Sequence, residues 1–333
     1  MTLFASGDSV TSARLVNCAT TALRLDPNVR DPIPYYMLML DRVHECADDF
    51  DILHFHIDQF HFPLFRSLAG HTLTTLHGRQ DLPDLRPLYF GFNEMRLISI
   101  SNRQRRPIPN ANFVATVYHG LPLDLHQPTF NPRGGYLAFL GRISPEKGAD
   151  RAIRVARTLG IPLKIAAKVD RVDEAYFREQ IAPLLNGPGV EFIGEIKEQE
   201  KTDFLGQGLA LMFLIDWPEP FGLTMIEAMA CGTPVLALRH GSVEEVVENG
   251  LTGHIIDKVE EATVALPRVM ALDRRAVRRR FEQRFTATRM ANDYVRVYNS
   301  LLALTNLKRV PNQAEPGQTT AAEFANEPSE SVH

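Results

Sequence analysis

From residue 136 to about 258 the chain alternates short apolar runs with longer helix-favouring segments. The apolar runs at 136–140, 163–167, 190–193, 209–215 and 234–238 have the length and composition of buried strands. Between them, 149–159, 173–185, 198–206, 223–230 and 242–248 predict helices. Such alternation with short turns implies a parallel sheet covered on both faces. Ligands bind these sheets at the carboxyl ends of the strands. The loops at 141–148 and 216–222 both leave strand carboxyl ends, so they can line one site.

The first 128 or so residues repeat the theme less regularly, with predicted strands at 3–5, 51–55, 72–76, 96–99 and 113–117. Residues 122–135 are rich in Pro, Gly and Asn and read as a linker. Residues 287–306 form one amphipathic helix with Met290, Tyr294, Val297 and Leu301 along a face. From Val310 the composition turns to Pro, Glu, Thr and Ser, which predicts a disordered tail. No repeat of 20–50 residues is present.

Composition narrows the class. At 333 residues the chain can bury two cores. Its 44% hydrophobic and 23% charged content is that of a globular protein. A net charge of −4 gives no reason to expect nucleic acid. Cys18, Cys46 and Cys231 are odd in number and form no Cys-x-x-Cys pair, which suits a reducing cytoplasm. No stretch reaches the roughly 18–20 apolar residues of a membrane span, and no signal peptide is visible.

The densest chemistry lies at 216–232, Asp-Trp-Pro-Glu-Pro-Phe-Gly-Leu-Thr-Met-Ile-Glu-Ala-Met-Ala-Cys-Gly. Pro218 and Pro220 hold the approach extended, since proline fixes its own φ and biases its predecessor away from the helical region. Gly222 removes a side chain where another molecule must come close. From Leu223 the composition favours a helix, which Gly232 and Pro234 end. A glycine turn feeding a helix N-terminus offers free amides and the positive end of the dipole, which suits a phosphate. Glu227, about one turn in, is placed to accept hydrogen bonds from a vicinal diol such as a ribose. An incidental junction is the bland alternative, but a core helix rarely needs a glutamate on its apolar side. In 141–148, Gly-Arg-Ile-Ser-Pro-Glu-Lys-Gly, two cations stand five apart. Arg142 can fork two oxygens of a polyanion and Lys147 can act as a point charge. This is not a Walker loop, and Gly206-Gln207-Gly208 lacks the third glycine of a dinucleotide fingerprint.

Together these segments resemble the nucleotide-sugar motif of the retaining glycosyltransferases of family 4. The resemblance covers nearly the whole chain to about 306 and is strongest over 136–257. Asp51-Ile-Leu-His-Phe-His56, Thr75-Leu-His77-Gly78 and Val117-Tyr-His-Gly-Leu-Pro122 match weaker signatures of that family. It implies an α/β fold of the GT-B type, two facing Rossmann-like domains with parallel sheets and a C-terminal crossover helix. The domains would be 1–128 on the acceptor side, 129–286 for the nucleotide sugar, a crossover helix at 287–306 and a tail at 307–333.

The implied activity is transfer of a sugar from a UDP-, GDP- or ADP-sugar to an acceptor hydroxyl, with retention of configuration. Glu219 would face the donor sugar, and Arg142 and Lys147 would neutralise the leaving diphosphate. Phe221, Gly222, Leu223 and Thr224 would complete the donor site, Glu227 would bind the ribose, and His77 would touch the sugar from the other domain. No cofactor and no metal is implied, because Arg142 and Lys147 stand where a metal would. The implied setting is the cytoplasm or the inner face of its membrane.

Some features do not fit or stay open. Family members begin with a strand, a glycine-rich turn and a long helix ahead of the strand seen at Leu3, and this unit is missing. The start is then misassigned or the protein truncated, and the former is favoured. A domain beginning at its second strand would leave a sheet edge exposed. Leu214 and Glu244 stand where prolines are expected. His54, His56 and His61 suggest a metal cluster, yet no carboxylate or cysteine completes a set. The arginines at 274, 275, 278, 279, 280 and 284 read as a solvated helical face, or as a weak contact with an anionic membrane surface. Two rival functions remain, a non-catalytic nucleotide-binding remnant and a nucleotide-sugar epimerase.

Overall fold

Twelve strands in three parallel sheets carry the fold of residues 1–309, which are those this computed structural model describes. Of the tail expected at 307–333, residues 307–309 continue the last helix and the rest lies outside the described residues. In the N-terminal part, β1 (Thr2–Ser6) pairs with β2 (Arg14–Ala19) as a separate two-stranded sheet. A four-stranded sheet follows in the order β3 (Leu53–Phe55), β4 (Thr72–Thr75), β5 (Arg96–Ser99) and β6 (Phe113–Thr116). The strand expected at 3–5 therefore exists, but it is not part of the main N-terminal sheet. Its partner β2 escaped the apolar pattern because Asn17 interrupts a short run. Residues of both β1 and β3 line an apolar slot of about 410 Å³, with Leu3, Phe4, Val43, Leu53 and Phe55 around it. Each strand pairs on one side only.

The C-terminal sheet has six strands: β7 (Leu137–Arg142), β8 (Leu163–Lys168), β9 (Val190–Gly194), β10 (Leu211–Phe213), β11 (Val235–Leu238) and β12 (Gly253–Ile256). Their order is β12-β11-β10-β7-β8-β9, so the direction of winding reverses between β7 and β10. The loops leaving the carboxyl ends of these two neighbours open a crevice, where open α/β sheets bind ligands. They are the loops at 141–148 and 216–222.

Helices Ala149–Leu159 and Leu223–Ala230 form where their composition predicts. The helix expected at 173–185 runs from Glu174 to Leu185 after a 3-10 turn, but it changes winding at a π-helical turn, Phe177–Ile181. Pro183 explains this, since it lacks an N–H and its ring clashes with the carbonyl four residues back. The helix expected at 242–248 shortens to Val243–Val246.

Both faces of the C-terminal sheet are covered. Leu137, Phe139, Ile165 and Met212 pack with Ile153 and Leu266 on one side. Ala138, Leu211 and Phe213 pack with Met225, Met229 and Phe281 on the other. The final helix, Ala287–Arg309, lays Met290, Tyr294, Val297 and Leu301 against Leu73, Ile98 and Val117 of the N-terminal part. Tyr298 binds His54 Nδ1 at 2.7 Å and Tyr294 binds Thr75 Oγ1 at 3.2 Å. No helix among the described residues is long and apolar enough to cross a membrane.

The arginine-rich stretch corrects the sequence reading. It is a helix, Arg274–Arg284, but Arg274 and Arg278 are buried rather than solvated. Arg274 donates to the carbonyls of Thr129, Gly206 and Gly208. Arg278 donates to those of Leu123, His126 and Ala230. Guanidinium forks tie 122–135 to the ends of helices Glu198–Gln207 and Leu223–Ala230, while Arg280 and Arg284 pair with Glu248 at 2.6 and 2.5 Å.

Candidate active site

The acidic loop owes its shape to close backbone contacts. Gly222 has φ +79°, and a Cβ there would come within 2.7 Å of Met225 Cε and 2.9 Å of Phe213 Cζ. Gly241, at φ +52°, packs directly on Glu219, where a Cβ would meet the backbone nitrogen at 2.4 Å. Ser242 then donates its amide to Glu219 O at 3.0 Å and its hydroxyl to Phe221 O at 2.7 Å. The turn at 240–242 thus holds Glu219 and Phe221 in place. Gly222 caps the helix Leu223–Ala230 without a side-chain hydrogen bond, leaving its first amides open to a ligand.

A cleft of about 460 Å³ lies between the two halves of the protein. Arg142, Lys147, Glu219, Phe221, Gly222, Leu223 and Thr224 line it from the C-terminal side, and His77 and His119 from the N-terminal side. The structure therefore brings together all but one of the residues expected at the site. Glu227 is the exception. It is 7% exposed and does not line this cleft; its Oε1 accepts from Lys201 Nζ at 2.9 Å.

Every charge in the cleft is already matched. Lys147 Nζ lies 2.5 Å from Glu219 Oε2 and 4.7 Å over the Trp217 ring, and Trp217 Nε1 donates to the same oxygen at 2.8 Å. Arg142 faces Asp170 at 3.3 Å, Glu146 at 3.6 Å and Asp173 at 3.7 Å. Hydrogen bonding from Lys168, and then from Arg142, holds the Asp170 carboxyl below its usual range. A polyanion entering the cleft must replace these carboxylates as the partner of both cations.

The N-terminal wall is a row of imidazoles. His54 and His56 share a strand face with ring centres 4.3 Å apart, and His56 Nδ1 lies 2.9 Å from His77 Nε2. His77 stacks on His119 at 5.4 Å and 10°, and His119 meets the Phe221 ring edge-on at 5.0 Å. Burial pushes His54 down to about 3 and His56 and His119 to about 4, with neighbouring imidazoles adding to the shift. The His77 value is also lowered by burial, against the pull of Asp58. Gln104 Nε2 donates to the carbonyls of Leu76 and Gly78, which fixes the His77 loop from behind. His61 leaves this row, stacking on Phe55 and hydrogen-bonding Thr74 at 2.8 Å. The three histidines suspected of sharing a metal thus face two different places.

Sequence reasoning missed His119, Trp217, Lys201 and the carboxylates around Arg142. His119 stood inside a quoted signature and Trp217 two residues before Glu219, yet neither had a pattern of its own. Among the described residues, the group whose ligand atoms lie close enough for a metal ion is His126, Glu198 and Glu227. The Lys201 ammonium already sits between its two carboxylates.

The family model for glycosyl transferases group 1 matches residues 124–284. D-inositol 3-phosphate glycosyltransferase of Mycobacterium sp. (strain KMS) is 28% identical over 157 residues, 43% of this chain and 36% of that protein. The chain thus covers little more than a third of that relative's length. N-acetyl-alpha-D-glucosaminyl L-malate synthase of Bacillus anthracis is 25% identical over 315 residues, 81% of this chain and 80% of that protein. The crystal structure of Anabaena HepE with UDP and glucose superposes with a TM-score of 0.66 at 18% identity, covering 79% of this chain and 81% of that one. The chain has the GT-B fold, and its residues 124–284 match the model of the glycosyl transferases group 1 family.

Proposed function

We propose that the protein is a glycosyltransferase that moves a sugar from a nucleoside-diphosphate sugar to an acceptor hydroxyl with retention of configuration. One observation carries the reading. Arg142, Lys147, Glu219 and an uncapped helix N-terminus converge on one cleft at the sheet's switch point. A relative named as a glycosyltransferase, and a neighbour solved with UDP and glucose, support the same chemistry.

In this reading the diphosphate takes over Arg142 and Lys147 from their carboxylates and sits on the Leu223 and Thr224 amides. Released from Lys147, Glu219 is free to accept hydrogen bonds from the donor sugar's hydroxyls. The anomeric C–O bond to the diphosphate breaks, and the acceptor oxygen bonds to that carbon on the same face. The acceptor's proton passes to the departing phosphate oxygen. His77, neutral near pH 7, contacts the sugar from the other wall. Two cations and a helix dipole supply the charge stabilisation, so the proposal requires no metal. Glu227 would accept the ribose hydroxyls.

Calorimetric titration with UDP, GDP and ADP, followed by turnover with the matching donor sugars, tests this. Saturable binding of one nucleotide with transfer to an acceptor is expected. A folded protein that binds none of them would overturn the reading. A second reading, nucleotide binding without turnover, draws support from the divided N-terminal sheet. It predicts the binding and no transfer from any donor.

A further inference from the structure

The helix Glu198–Gln207 packs beside the helix Leu223–Ala230 and carries a cation between two carboxylates, Glu198 exposed and Glu227 buried. Lys201 Nζ lies 2.7 Å from Glu198 Oε2 and 2.9 Å from Glu227 Oε1. Glu198 Oε1 lies 3.4 Å from His126 Nε2, an atom that is fully buried and has no hydrogen-bond partner. His126 is itself fixed, with Nδ1 3.1 Å from Thr202 Oγ1 and its carbonyl held by Arg278. The spacing of His126, Glu198 and Glu227 could suit a divalent ion. The resident cation is instead the ammonium of Lys201.

We infer that Lys201 is a positioning residue for nucleotide binding, holding Glu227 in the orientation that accepts a ribose diol. The inference rests on the reading of Glu227 given above. A carboxylate that accepts from a vicinal diol must be held in one orientation with an oxygen left open. Buried carboxylates are disfavoured unless an opposite charge and hydrogen bonds compensate. Lys201 supplies both at Oε1 and leaves the other oxygen unclaimed by it. Glu198 in turn stops the flexible lysine stem from moving away. Burial lowers the Lys201 value, but hydrogen bonds and charge from Glu198 and Glu227 outweigh it and keep the ammonium protonated.

The test compares wild type, Lys201→Met, Lys201→Arg, Glu227→Gln and the double variant K201M/E227Q. Each is titrated with UDP, GDP and ADP and with their 2′-deoxy forms. Lys201→Met should weaken the preferred ribonucleotide about tenfold and bring it close to the deoxy form. Lys201→Arg should return affinity to within about threefold of wild type. The double variant should be no weaker than Glu227→Gln alone, because the two side chains act as one unit. A merely structural role would weaken ribo and deoxy forms alike, which overturns the inference. So does a Lys201→Met protein that binds as well as wild type, or better, while Glu227→Gln binds poorly; the ribose reading then survives. If neither substitution changes affinity, the ribose role of Glu227 falls and this inference falls with it.

Discussion

The two walls of the cleft are built differently. The C-terminal wall stands on six parallel strands with both faces covered, and its cations, carboxylate and helix N-terminus come from two adjacent loops. The N-terminal wall stands on a four-stranded sheet beside a detached pair, and offers stacked neutral imidazoles. Under the proposed function, one wall would meet a charged leaving group and the other uncharged hydroxyls. The contrast teaches that charged groups can be gathered on one sheet while the facing wall presents uncharged rings.

The sharpest attempt to break this contrast removes charge from the C-terminal wall. Glu219→Gln should lower kcat by roughly 10²–10³, the loss typical of removing a preorganised electrostatic partner. A fall of less than about fivefold in steady-state turnover would place the sugar elsewhere. Lys147→Ala should follow with about a hundredfold loss in kcat/KM and weaker nucleotide binding by calorimetry. Lys147→Arg should recover only part, since a planar guanidinium does not replace a compact point charge on a flexible stem. On the other wall, His77→Ala should cost about tenfold in transfer, the worth of one or two neutral hydrogen bonds. Nucleotide affinity should stay within about twofold. A large loss of nucleotide affinity in His77→Ala would erase the division between the walls.

Acid gives the gentlest test. His54 and His61, held near 3, and His56 and His119, held near 4, resist protonation in the folded state, chiefly through burial. Their unfolded counterparts take up protons near 6.5. This contribution to stability is complete above about pH 6.5 and declines as pH falls toward 4. Amide hydrogen exchange, corrected for intrinsic rates, should show β3–β6 opening more readily at pH 5 than at pH 7. The C-terminal sheet should change less.

The same contrast governs what could be read from the residues. The helices Ala149–Leu159 and Leu223–Ala230 were legible because glycines, prolines and propensity signal them within a few residues. Arg142, Lys147 and Glu219 were legible because two strand-to-helix loops carry them. The joining of His54, His56, His77 and His119 into one row was not, because it depends on register: Phe55 opposite Thr74, Thr74 opposite Leu97 and Ile98 opposite Ala115 bring distant segments side by side. Lys201 escaped for a related reason, since its partner sits 26 positions on, across a helix-helix contact. The buried arginines read as surface because their acceptors are backbone carbonyls, which leave no mark in the pattern of side chains.

The last helix has a consequence for how the protein is made. Leu73, Ile98 and Val117 bury themselves against Met290, Tyr294, Val297 and Leu301. During synthesis β3 to β6 are complete well before that helix leaves the ribosome. At about 5–20 residues per second, this face of the first sheet waits on the order of ten seconds or more for its cover. A newborn chain therefore exposes an apolar surface that the finished protein never shows. Chaperone demand should concentrate on that interval, and truncations within the last helix should aggregate through the opposite end of the molecule.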